Sequence, residues 1–240
     1  RTLSFWQGDK CLLEYHSYAT HPMSFYGKGV VSSDFVGLAR QRRQRDDRSV
    51  HQIYASGCSG DVTAGRYNDG TPEIREQLIE RLYQAMVEAR VNAKKVPFAE
   101  VKLRAVPLEL EYTKDPKLQP DELRKELKDK SLPVEKRILA AMGLASAERV
   151  AAKRAIDLPM IDFGITRMVL FPGESFVGYQ HIVQEYSPDC PVIPVGYGEC
   201  WTGYLPTESA FRDGFNESWL WVPPGSEDRI REALSKLFGK

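Results

Sequence analysis

The sequence predicts an α/β protein: mixed sheet layers covered by helices, with a charged helical insertion around residues 114–156. Three observations carry this expectation. Apolar runs of strand length alternate with amphipathic stretches of helix length in the first third of the chain and again in the last. The apolar runs stop repeatedly at Gly, Pro or Ser, which punctuate strands. The region between the two alternating parts carries dense charge at helical spacing.

Taken in order, "KCLLEYHSYA" (10–19) reads as a strand, rich in aliphatics and aromatics. "SSDFVGLARQRRQR" (32–45) reads as a helix capped by Ser33, and "SVHQIYAS" (49–56) as a second strand. A polar loop of small residues, "ASGCSGDVTAGRYNDG" (55–70), follows. Thr71 and Pro72 then open a long helix, Pro being tolerated in a first turn. Ile74, Leu78, Leu82 and Met86 recur every four residues on its buried stripe. "AEVKLRAVPLELEYT" (99–113) alternates like a strand interrupted by Pro107. "PDELRKELKDK" and "PVEKRILAAMGLASAERVAAKRAI" supply the two helices of the insertion. "MIDFGITRMVLFPG" (160–173) holds one or two buried strands, "ESFVGYQHIVQEYS" a helix, and "CPVIPVGYG" a strand. "SWLWVPPG" is expected as a short edge strand. A last helix capped by Ser226 carries Ile230, Ala233, Leu234 and Leu237 on one face.

Composition narrows the function classes. The chain has 240 residues, 42% hydrophobic and 28% charged, an ordinary globular balance, with 33 basic residues against 33 acidic ones. No net charge suggests a nucleic acid or an anionic surface as partner. The cluster "RQRRQRD" (40–46) is read as a solvated helix end. No run approaches the roughly 18 apolar residues of a transmembrane segment. The four cysteines, at 11, 58, 190 and 200, form no C-x-x-C pair, so a structural zinc site is not expected. Cys190 and Cys200 could bridge in an oxidising compartment. The sequence begins at Arg1, mid-stream into "LSFWQGDKCLLEY", and is read as one α/β catalytic-type domain, 1–240, forming the C-terminal part of a longer domain.

Three strand ends share one pattern, in which an apolar run stops, small residues follow and a polar group appears. They are "YATHPMS" with His21, "SGDVTAG" with Asp61 and Thr63, and "LFPGESF" with Glu174. A fourth candidate is Tyr204 in "GYGECWTGYLPT". In α/β folds ligands collect where strand ends feed loops. Singly, each has a structural explanation: a hydrogen-bonded histidine, a turn aspartate, a glutamate on a helix dipole, a packing tyrosine. Together, a histidine, a glutamate and a phenolic oxygen could ligate zinc and leave room for water.

"YATHPMS", "SGDVTAG", "PGESFVGYQ" and "GYGECWTGYLPT" occur in the order and context found in the neutral/alkaline non-lysosomal ceramidase family, and the chain resembles a short bacterial-type relative of its catalytic domain. That resemblance implies Zn²⁺ held by two histidines, a glutamate and a tyrosine, with the metal activating water to cleave an amide. His21 would be the second of the histidines, Glu174 the glutamate and Tyr204 the tyrosine. Thr63 stands where the family has a serine that helps attack or orient the amide. Asp61 would orient the loop through backbone N–H groups. The first zinc histidine would come from a segment upstream of Arg1, which would pack on this chain.

The expected substrate is a small-molecule amide or lipid-like N-acyl compound, and the family's setting is periplasmic or secreted. A second reading is a family member without chemistry, acting as a binding or structural module. A third is a serine- or cysteine-type hydrolase pairing Ser59 or Cys58 with His21, disfavoured because no G-x-S-x-G elbow is present.

Overall fold

A computed structural model describes residues 1–240. The chain opens with an antiparallel hairpin of β1 (Thr2–Gln7) and β2 (Lys10–Tyr18). Only β2 is legible in the sequence, because β1 is short and mixes Thr, Ser and Gln with its apolar residues. Helix α1 (Asp34–Asp46) leads into β3 (His51–Ser56), which lies parallel to β2, so the first sheet has the order β1-β2-β3.

The start of α1 differs from expectation. Ser33 makes no capping bond through its side chain. Asp34 takes over instead: its buried carboxylate accepts the backbone N–H groups of Ser24, Phe25 and Phe35 at 3.1, 3.0 and 2.7 Å. It does so with a left-handed φ of 51°, which Asp tolerates better than most residues. The same contacts tie the segment after His21 to the helix.

Helix α2 (Pro72–Val91) is capped by Thr71, whose Oγ1 accepts the Ile74 N–H at 3.3 Å. Its stripe buries Leu78, Ile79 and Met86 against Phe35, Val36 and Ala39 of α1. A charged cluster pins both helices to the first sheet. Glu14 of β2 is fully buried, 3.2 Å from Arg43 Nη2 of α1 and 2.5 Å from Arg90 Nε of α2. Buried His16 beside it bonds Gln52 Oε1 at 2.9 Å and Thr2 Oγ1 at 2.8 Å.

The middle of the chain runs through β4 (Lys102–Leu108), then α3 (Pro120–Lys128) and α4 (Val134–Ala151). Pro107 lies inside β4 and is tolerated because β4 is an edge strand. Helices α3 and α4 stack as a hairpin outside the sheet, with ion pairs such as Arg124–Glu148 on their exposed surface. Gly143 permits the contact beneath: a Cβ there would stand 3.0 Å from Leu123 Cδ1 and 3.1 Å from Trp221 Nε1. The helix expected to reach residue 156 stops at Ala151, and Ile156 already belongs to the next strand.

That strand is β5 (Ile156–Asp162), followed by β6 (Arg167–Leu170), the two-residue β7 (Glu174–Ser175), α5 (Gly178–Glu185), β8 (Val192–Val195), β9 (Tyr204–Leu205), α6 (Glu208–Arg212) and α7 (Ser226–Phe238). The second sheet has the order β4-β5-β6-β8, antiparallel except for the parallel pair β6/β8, and β7 pairs with β9 in a small parallel ladder. "SWLWVPPG" is not a strand; it makes one bridge, Gly203 to Leu220, and buries Trp221. Gly225, at φ 92°, takes the cap position of α7, and Ser226 is the first helical residue.

The large core lies around the second sheet, where Leu158, Met160, Val169 and Phe171 meet Tyr179 and Val183 of α5 and Leu234 of α7. The two larger sheets are joined at their strand ends: the Gly196 N–H, just after β8, donates to Ser56 O at the end of β3, at 3.0 Å. No helix is long and apolar enough to cross a membrane.

Candidate functional site

Because β2 and β3 are parallel, as are β6 and β8, the join brings four C-terminal strand ends together. Each delivers polar groups: His21 beyond β2, Ser59 and the "GDVT" segment beyond β3, Glu174 beyond β6, and Tyr197 beyond β8. This is where open α/β sheets hold ligands.

The central contact is His21 Nε2 to Glu174 Oε2, at 2.7 Å. The other imidazole nitrogen, Nδ1, lies 3.1 Å from Val62 O, so both ring nitrogens face oxygen acceptors. The Glu174 carboxylate chiefly, against the opposing effect of burial, and the Val62 carbonyl after it, raise the His21 pKa above its ordinary value. A third oxygen, Tyr197 Oη, stands 3.2 Å from Nε2 and 3.4 Å from the Oγ of fully buried Ser59. Burial pushes the Tyr197 phenol up to about 12. Tyr197 holds φ at 58°, a left-handed conformation costly for an aromatic residue and found where surrounding structure enforces it.

The "SGDVTAG" loop builds the floor. The His21 N–H donates to Val62 O at 2.7 Å, and His21 and Thr63 form a parallel bridge. The Gly60 N–H donates to Ser175 O at 3.0 Å, and Asp61 Oδ1 accepts the Val177 N–H at 2.6 Å at the entry to α5. Asp61 therefore ties the loop to the Glu174 strand. The Thr63 side chain is exposed, and its Oγ1 accepts the Gly65 N–H at 2.8 Å, leaving its own proton free to donate elsewhere. Gly60 is needed for space: a Cβ on it would stand 2.2 Å from Glu174 O.

Glu174 lies in β7, not at the start of a helix, and α5 begins four residues later. Its ladder partner is Tyr204, so the two side chains share a face. Burial and then the Glu174 charge raise the Tyr204 pKa. Tyr204 makes no side-chain hydrogen bond; its ring packs edge-on against Phe215 and Trp219, and Phe176 packs edge-on on Phe215 at 4.8 Å. An aromatic wall thus flanks the carboxylate.

The structure brings His21 and Glu174 into contact, sets Thr63 and Asp61 in the adjoining loop, and keeps Tyr204 on the Glu174 face. Tyr197 is the residue that sequence reasoning passed over. It sits between two glycines after an apolar strand, the pattern that marks the other candidates, and shares one quoted block with Tyr204.

Cys58 is fully buried, and burial raises its thiol pKa far beyond the reactive range. Ser59 has only the Tyr197 hydroxyl beside its Oγ, so neither residue forms a nucleophile–histidine pair with His21. All four cysteines are unbridged.

No three His, Cys, Asp or Glu side chains gather anywhere in the chain, so the set here is one imidazole, one carboxylate and a phenol. Imidazole and carboxylate are donor types that zinc accepts. Val62 O against Nδ1 is the backbone-oriented imidazole arrangement seen at metal centres, and the Nε2 proton that bonds Glu174 would have to leave for a cation to take its place.

These features define an α/β protein with a polar site where four strand ends converge. Its fold is related to that of the neutral ceramidases. Superposition on the neutral ceramidase from Pseudomonas aeruginosa gives a TM-score of 0.68 at 14% identity, over 96% of this chain and 44% of that one. Superposition on a ceramidase complexed with C2 gives 0.73 at 13% identity, over 99% and 47%. The chain spans a little under half the length of these proteins. No family model and no curated protein matches the sequence.

Proposed function

We propose that this chain carries the catalytic part of a zinc-dependent hydrolase that cleaves the linear amide bond of N-acyl, lipid-like compounds. The observation that carries the reading is the His21–Glu174 pair, with both imidazole nitrogens against acceptors at a junction of strand ends. The ceramidase-related fold supports it. His21 Nε2 and Glu174 Oε2 would hold the ion, with a phenol from Tyr204 or from Tyr197, whose Oη stands 3.2 Å from Nε2, and a histidine from outside this chain would complete the set. When bound, Zn²⁺ supplies Lewis-acid polarisation of the carbonyl and lowers the pKa of water.

The chain's own residues do the rest. Val62 O fixes the His21 tautomer. Asp61 and Gly60 lock the loop against the Glu174 strand, so that the loop's N–H groups and the Thr63 hydroxyl keep their place. A free Thr63 O–H can donate to the oxygen that becomes negative during amide cleavage. Half-buried Phe215 and Trp219, backed by buried Phe176, offer apolar surface for an acyl chain and help exclude water.

One observation favours the second reading, a binding module: no third His, Cys, Asp or Glu side chain joins His21 and Glu174. Metal analysis and turnover of an N-acyl amide by the zinc-replete full-length protein decide between them. The hydrolase reading expects stoichiometric zinc, lost in His21→Ala and Glu174→Gln together with turnover. A metal-free protein that binds the N-acyl compound without cleaving it would establish the module instead.

A further inference from the structure

At the end of β2 remote from His21 lies a second, apolar cavity of about 590 Å³, within the size range of small-molecule sites. Phe5, Trp6, Phe98 and Phe163 line it, with Val96 and Ile165. The rings of Phe98 and Phe163 both pack edge-on against Phe5, at 6.2 and 5.6 Å. Phe98 is 57% exposed, Val96 46% and Ile165 45%, a concentration of uncovered apolar surface that marks a binding site.

The polar groups of this cavity are few and of one sign. Lys94 and Lys95 line it, and no acidic side chain does. Lys95 lies 4.0 Å over the Trp6 ring and bonds Asp9 at 3.0 Å, while Lys94 makes no ion pair. Ser4 Oγ already accepts the Trp6 indole N–H at 2.9 Å. Apart from the lysines, then, the Ser4 hydroxyl proton is the one hydrogen-bonding group left free among the lining side chains.

We propose that this cavity binds the tail of a single-chain alkyl carboxylate, with Lys94 taking the head group. An alkyl tail asks for no polar partner inside, whereas buried polar atoms would go unpaired there. The carboxylate meets the one ammonium without a counter-charge. The inference is independent of the amide-hydrolase reading, because it uses none of the residues at the strand-end site.

The test is calorimetric titration of the full-length protein with octanoate, decanoate and dodecanoate, each below its micelle concentration, and with the matching alcohols. Each added methylene should tighten binding about fourfold. Phe98→Ala, at an exposed position that leaves folding intact, should weaken all carboxylates about tenfold or more. Lys94→Gln should weaken carboxylates and leave the alcohols unchanged. His21→Ala should change neither. Affinity independent of chain length, loss of binding in His21→Ala with none in Phe98→Ala, no binding at all, or binding to phospholipid vesicles only would each overturn the proposal.

Discussion

Replacing Gly60 with Ala tests whether the loop and the Glu174 strand form one rigid unit. The added Cβ would stand 2.2 Å from Glu174 O and 2.9 Å from Phe176 Cδ1, where ordinary contact begins at 3.4 Å. The two backbones must therefore separate by about 1.2 Å. That stretches the 3.0 Å bond from Gly60 N to Ser175 O beyond hydrogen-bonding distance, a loss of about 1 kcal/mol. Overpacking adds about 1–3 kcal/mol. We expect destabilisation of about 2–4 kcal/mol in urea unfolding. Because Glu174 itself is displaced, turnover should also fall, on the order of 10²-fold for a shift of about 1 Å. Gly65→Ala is the control: its nearest neighbour, at 3.1 Å, is the flexible Thr63 hydroxyl, so its cost should stay under about 1 kcal/mol. Wild-type stability and turnover in Gly60→Ala would falsify the rigid-unit account of the site.

Four further outcomes are expected. Thr63→Ala should lower kcat about 10²- to 10³-fold toward an N-acyl amide while Thr63→Ser retains most activity, and equal rates for the two would make the loop a connector. Tyr197→Phe should cost about 10²-fold in kcat with stability unchanged, measured by turnover beside thermal unfolding; an unaltered rate would confine Tyr197 to packing. Burial lowers the His16 pKa from 6.5, so below that pH the unfolded chain takes up a proton that the folded chain refuses. Stability should therefore decline as pH drops from 6.5 toward the depressed folded value and be level above it, and His16→Asn should flatten that part of the unfolding profile. Glu14→Gln should destabilise by about 3 kcal/mol in urea, because Arg43 and Arg90 lose the buried carboxylate that compensates them; a change under about 0.5 kcal/mol would deny the cluster that role.

The parts of the fold that were legible in sequence are those whose signal is local. The Ile74–Met86 stripe and the apolar faces of β2, β3 and α7 announce themselves by periodicity, and the strand ends by the Gly and Pro that follow them. What escaped depends on distant partners. Glu174 reads as helical because "ESFVGYQHIVQEYS" is continuous, yet Gly203 O and Tyr204, some thirty residues on, draw it into a ladder. Ser33 looks like a better cap than Asp34 until Ser24 and Phe25 supply the N–H groups that Asp34 binds. Tyr197 and Tyr204 are chemically alike, and only His21, far away in the chain, distinguishes the one within 3.2 Å of its imidazole. Strand β1 mixes Thr, Ser and Gln with its apolar residues, and helix α6, with five residues, was too short to carry a pattern.

The join between the two larger sheets has a kinetic consequence. His21 is 153 residues from Glu174 and 176 from Tyr197, so the site closes some of the longest loops this chain can make. Contacts of such sequence separation are slow to form, since loop closure must precede any return from packing. Residues on both sides of the 114–156 insertion must be in position before His21 has a partner, which makes completion of the site a late event in folding. The converse follows by mass action: whatever binds there holds the two halves of the chain together, and its binding free energy appears as resistance of the entire assembly to unfolding, increasing as RT ln(1 + [L]/Kd).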